Sequence, residues 1–215
     1  MIIRQGAMEL LNYLETYFYT GTQLTELTLI SESDIAAYQA QKVMPLPSYS
    51  LDLSVNSHSF TGQHQERQKV DFYARGYVSW LSIVDTLQDA DRIHNEFVRR
   101  YQNKLEQLVS DGWSSLNPNV NERLIDHMKE EWSHFLKGTY GLCTQTGLPE
   151  DIAAKEFAIY EIKALLSNAQ QDDTRQLEHM VHLLDKVSAP FAPHERSNSS
   201  RQRLVTNVKR EFKFE

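Results

Sequence analysis

One cysteine, Cys143, stands in a chain of 215 residues. That count excludes an internal disulfide framework and a zinc site built from four thiolates. No run of about 18 apolar residues occurs, so no membrane-spanning helix is expected. The first residues, Met1-Ile2-Ile3-Arg4-Gln5-Gly6, lack the long apolar stretch of a secretory leader, and a reducing cytoplasm is the expected compartment. Glycine-rich phosphate loops are missing, as is a Gly-x-Ser-x-Gly nucleophile elbow, so no cofactor is expected. Neither an internal repeat nor a low-complexity tract is present. Positive charge is short as well. Lys and Arg number 22 against 29 Asp and Glu, a formal net charge of −7. An acidic chain is poorly suited to neutralising nucleic-acid phosphates.

What is present is enough for a core. Apolar residues make up 40% and aromatics 10%, and the length suits one or two domains. The charge is uneven. Residues 1–63 hold two basic residues (Arg4, Lys42) against six acidic ones, residues 64–188 are also acidic, and residues 189–215 are a basic tail with six Lys and Arg against three Glu.

Apolar spacing predicts helices over 7–18, 23–28 and 32–41, the second capped by Thr22 and the third by Ser31 with Asp34 at N3. Pro45 and Pro47 end the third. Leu51, Leu53 and Val55 alternate as in a half-buried strand, with a turn at 57–62. Tyr73, Tyr77, Trp80, Phe97 and Tyr101 lie on one face of 64–109, which reads as one long helix or two meeting near Asp89. Further helices are expected over 120–137 (closed by Gly138), 149–167 (Pro149 at N1) and 173–187. Residues 204–214 fit a helix or a strand. The fold class is mainly α: a small N-terminal winged-helix-like module (1–63) on a four- to five-helix bundle-like domain (64–188), with the tail (189–215) folding back or mobile.

The segment Tyr19–Tyr49 resembles the winged helix-turn-helix of MerR-type regulators. The resemblance rests on the spacing of Thr20, Leu24, Leu27, Ile30, Ser31, Ile35, Tyr38, Val43 and Pro45, with Leu51, Leu53 and Val55 as the wing. It implies two short helices locked at a fixed angle. Three departures bear on function. Leu29 replaces the family's turn glycine, Ala36 replaces an arginine, and Glu32 and Asp34 sit on the recognition-helix surface. Residues 8–25, 44–53, 72–80, 138–156 and 190–201 are also similar to a bacterial family of this length labelled natural-product-biosynthesis proteins, for which no catalytic residues carry over.

Successive antiparallel helices put loop 138–148 and the loop after 188 at one end of the bundle. Tyr140, Cys143, Thr144 and Thr146 would face His194, Glu195, Arg196, Ser199, Ser200 and Arg201. The candidate ligand-binding set is Tyr140, Cys143, Thr144, His194, Glu195, Arg196 and Arg201. Its arginines suit a small anionic ligand, and Cys143 is a nucleophile if a cation lowers its pKa. Asp91/His94, Glu131/His134 and His179/His182 have i, i+3 spacing, with Glu156 and Glu161 as further carboxylates. Solvated helix faces account for them, and no metal is expected. His58 and His64 need no special role. The leading expectation is a regulatory or interaction protein with a helix-turn-helix-like module stripped of its basic surface. It would meet a protein partner or a second copy through residues 64–109, with DNA not expected. The alternative is a small-molecule binder or enzyme of natural-product biosynthesis.

Overall fold

The computed structural model describes residues 9–167 and 174–214. The chain is mainly helical with one small sheet. Helix α1 (Glu9–Tyr17) runs into strand β1 (Phe18–Thr20), followed by α2 (Gly21–Thr28) and α3 (Glu32–Ala40). A long hairpin comes next, β2 (Tyr49–Ser59) and β3 (Gly62–Ala74). The sheet order is β1-β3-β2, antiparallel throughout. Then come α4 (Tyr77–Leu87), α5 (Ala90–Ser110), α6 (Leu124–Leu136), α7 (Thr139–Cys143), α8 (Pro149–Ser167) and α9 (Thr174–Val187). The tail passes through a π-helical stretch (Gln202–Thr206) into α10 (Asn207–Phe212), which decides for helix at the C-terminal end. Among the described residues, no helix is long and apolar enough to cross a membrane.

Three sequence expectations are corrected. Residues 64–74 are strand, and helix begins only at Tyr77. Their polar side chains, from His64 to Lys69, carry no period of their own. Residue-by-residue pairing with β2, from Tyr49↔Phe72 to Ser59↔Gly62, holds them extended. The aromatic stripe then divides among β3 (Tyr73), α4 (Tyr77, Trp80) and α5 (Phe97, Tyr101), the two helices meeting at Gln88-Asp89. Asp89 caps α5 through Arg92 N at 2.8 Å. Local caps also move one boundary: Thr20, not Thr22, caps α2. The expected loop after Gly138 contains α7. Gly138 has φ 76°, and a Cβ there would meet the Leu46 and Pro47 carbonyl oxygens at 2.5 and 2.8 Å, so no other residue fits without displacement.

The main core joins every layer. Trp80, Tyr77, Phe97, Tyr101 and Phe135 are fully buried, and Trp80 Nε1 donates to the Val43 carbonyl at 2.9 Å. Leu24, Ile30, Ile35, Val43 and Met44 from the N-terminal segment belong to the same apolar cluster, as do Val205 and Val208 of the tail. Arg201 and Lys209 (3.1 Å) both engage Asp185, fastening the tail to α9. The apolar faces of α4 and α5 thus pack into the chain's own core. A smaller cluster of Tyr13, Leu14, Phe18, Phe72 and Ala192 packs α1 on the other face of the sheet.

Candidate functional site

The N-terminal groove is assembled by short-range signals. The Thr20 hydroxyl accepts from Gln23 N (3.2 Å), and Gln23 Oε1 accepts from Thr20 N (2.9 Å), a reciprocal cap that starts α2. Helix α2 ends at Leu29 with φ 59° and ψ 16°. The chain then turns, and Ser31 Oγ accepts from Asp34 N at 3.1 Å to start α3. Leu24 and Ile35 point inward, which leaves Glu32, Ser33, Ala36, Ala37 and Ala40 on the outer face of α3. Between α3 and β3 lies a groove of about 320 Å³, lined by Thr20, Thr22, Glu32, Ala36, Gln39, Gln68, Lys69 and Asp71 among others. No Lys or Arg lies on α3. Among the described residues that line the groove the one cation is Lys69, and its Nζ lies 3.8 Å from the Asp71 carboxylate.

At the far end of the helices the two loops do adjoin. Gln145 N donates to the Val187 carbonyl at 2.8 Å, Ala189 N to the Cys143 carbonyl at 3.3 Å, and Thr144 forms a bridge with Ser188. A pocket of about 200 Å³ opens between them. It is lined by Gly141, Thr144, Gln145, Ala189 and Pro190, and by Tyr13, Thr16, Tyr17, Phe18, Ala74 and Arg75. Arg75 is exposed, its guanidinium 5.1 Å above the Tyr19 ring.

Of the seven residues expected there, Thr144 lines this pocket. The others have specific partners elsewhere. Tyr140 donates to Glu131. The Cys143 carbonyl takes Lys155 Nζ at 2.7 Å. Glu195 accepts from the Tyr49 hydroxyl at 2.6 Å, and exposed His194 lies 3.8 Å from the same carboxylate. Arg196 Nε donates to the Phe191 carbonyl at 3.1 Å, and Arg201 engages Asp185 and the Ser188 carbonyl. Thr146 and Ser199 serve backbone turns: Thr146 bonds Asp151, and Ser199 Oγ accepts from Gln202 N at 3.0 Å.

A buried polar cluster lies inside the helices. Glu131 is 4% exposed and accepts from Tyr140. His127 Nε2 and His134 Nδ1 stand 3.7 and 3.9 Å from Glu131 Oε1. Burial pushes the Glu131 carboxyl up to about 7, against the hydrogen bond from Tyr140 and with help from the charge of Glu156. Burial pushes His127 below its ordinary value. His127 Nε2 and the Tyr101 hydroxyl are buried without a hydrogen-bond partner. The sequence carries a signal for this cluster, because Glu131 falls three residues after Met128 and four before Phe135, on the core side of α6. Among the described residues, no group of three or more His, Cys, Asp or Glu is placed to hold a metal ion. His94 instead packs edge-on to Trp132, and His179 stacks on Trp113 at 3.9 Å.

A family model described as a family of unknown function (DUF6058) matches residues 93–213, more than half of the chain. That stretch begins inside α5 and ends in the tail, so it excludes the N-terminal groove. No curated protein and no solved structure matches the chain.

Proposed function

The chain belongs to DUF6058, a family of unknown function, and we propose that it is a regulatory or interaction protein whose N-terminal module docks a protein and not DNA. The element order β1-α2-α3-β2-β3 with β3 central supports reading that module as a winged helix. The observation that carries the proposal is the charge of the groove. A DNA reader presents cations on its recognition helix and wing, because phosphate neutralisation supplies most of the affinity. Here α3 presents Glu32, Asp34 and a row of alanines. Its carboxylates repel a polyanion, and its small side chains leave room for another polypeptide to approach the helix backbone.

The test places a photo-crosslinking amino acid at Ala36 in the full chain, in the source cells. A discrete protein adduct that disappears when Gln39→Arg is added supports the proposal. Retention of the purified chain on duplex DNA, weakening steeply with salt, would overturn it.

A second reading is favoured by the pocket between the two loops. Arg75 at a cavity walled by Tyr13, Tyr17, Phe18 and Pro190 suits a small organic anion, as a binder or enzyme of natural-product biosynthesis requires. Benzoate raising the melting temperature where benzamide does not, with the effect lost in Arg75→Met, would support it. Equal responses would remove it.

A further inference from the structure

We propose that the free edge of β2 pairs antiparallel with β2 of a second copy of this chain, joining two sheets into one. Strand β2 is an edge among the described residues: the sheet order is β1-β3-β2, and of these residues only β3 pairs with it. Its pairing runs without a bulge from Tyr49 to Ser59, so every second residue aims its N–H and C=O away from the sheet. Ser59 and Gly62 close a two-residue turn and must bond each other directly. The odd residues of β2 therefore face β3, and Ser50, Asp52, Ser54, Asn56 and His58 turn their backbone groups outward.

Exposed edges of this length are usually blunted by Lys, Pro, a bulge or a covering element. Strand β2 contains no Lys, Pro or bulge, its residues Ser50, Asp52, Ser54, Asn56 and His58 are exposed, and its one fixed charge is Asp52. The opposite free edge, along β3 beyond the reach of β1, holds Glu66, Arg67, Lys69 and Asp71 and is protected in the usual way. The two edges of one hairpin thus differ in whether they resist pairing.

Side chains favour a second copy as the occupant. Leu51, Leu53 and Val55 share one face, and the stripe outruns the small core it starts from: Val55 is 50% exposed. A two-fold centred on Ser54 sets Leu53 opposite Val55 of the second copy, twice. These are the close, non-hydrogen-bonded positions, where apolar pairs contribute most. Asp52 then meets Asn56, so no like charges oppose. The same register carries the hairpin tip, where Phe60 is fully exposed, to the base of the second copy's β2, beside exposed Leu46. An open edge, an apolar stripe and a bare aromatic tip are all covered by one symmetry operation.

Sedimentation equilibrium of the full chain at about 100 µM is the test. Two chains per particle are expected. Ser54→Pro removes an outward N–H that the monomer does not use, so it should leave helicity and melting behaviour in place and return the mass to one chain. Gln65→Pro makes the same change on the β3 edge and should leave two chains. Should Ser54→Pro prove misfolded, Phe60→Ser and Val55→Lys are each expected to weaken association at least tenfold. A short bismaleimide should join Ser54→Cys chains and fail to join Thr61→Cys chains. A single chain at this concentration overturns the proposal. So does a dimer that survives a folded Ser54→Pro, or one lost with Gln65→Pro alone.

Discussion

Tyr140 on α7 donates its hydroxyl hydrogen to the carboxylate of Glu131 on α6, deep between the helices. The pair ties a five-residue helix to the core, and it does so at a desolvated carboxyl. Glu131 is held near 7 in the fold against an ordinary 4.5. The folded state therefore binds the Glu131 proton more tightly than the unfolded chain. Its contribution to stability is fully present below 4.5 and is lost as pH rises through 7.

Glu131→Gln keeps an oxygen for Tyr140 and removes the titration. The variant should match wild type at pH 4.5 and exceed it at pH 8 by roughly 3 kcal/mol at most, the equivalent of the shift. His127 acts oppositely: its folded value is lowered, so its contribution is lost as pH falls below 6.5. Because His127 Nε2 lies 3.7 Å from Glu131 Oε1, the difference between the two proteins reads Glu131 together with its coupling to His127. Urea unfolding at pH 4.5, 6 and 8 gives the answer. Parallel curves would show that folding leaves the Glu131 titration unshifted.

Leu29 is the reverse of Gly138. Both adopt positive φ, but Leu29 does so with a β-carbon and a side chain 90% exposed. The left-handed conformation costs an ordinary residue about 1–2 kcal/mol. No burial offsets it. Leu29→Gly should stabilise the chain by about 1 kcal/mol after the added freedom of the unfolded chain is counted, raising Tm by about 2–4 °C. An unchanged or lower Tm would mean that the leucine has a packing role in the turn.

These residues also show what is legible in the sequence. The caps at Ser31 and Asp89 and the turn at Leu29 depend on neighbours within three or four positions. The α2–α3 unit can accordingly be read from spacing. Residues 64–74 cannot, because Gln65 or Arg67 becomes strand only by pairing with Asn56 and Ser54. The adjacency of Cys143 and Ala189 follows from helix order. The side-chain partners of Glu195 and Arg201 do not, since Tyr49 and Asp185 come from elements that no local pattern ties to the tail. Glu131 lies between these cases. Its place on the core face is periodic and visible, while its hydroxyl partner is set by the turn at Gly138.

Lys155 offers an independent check on that buried carboxyl. It is 3% exposed on α8, donates to the Cys143 carbonyl at 2.7 Å, and lies 5.6 Å over the Phe191 ring. Its charge also works to lower the Glu131 titration, against burial and Glu156. Lys155→Met keeps the length of the side chain and removes that charge. The Cys143 carbonyl retains Ala189 N as a donor, so the loop junction has a remaining bond. The pH at which Glu131's contribution disappears should move upward from 7. Stability at pH 8 compared with pH 4.5 measures this directly, and Glu131→Gln in the same background should abolish the shift. If the shift persists without Glu131, the titrating group is another member of the cluster.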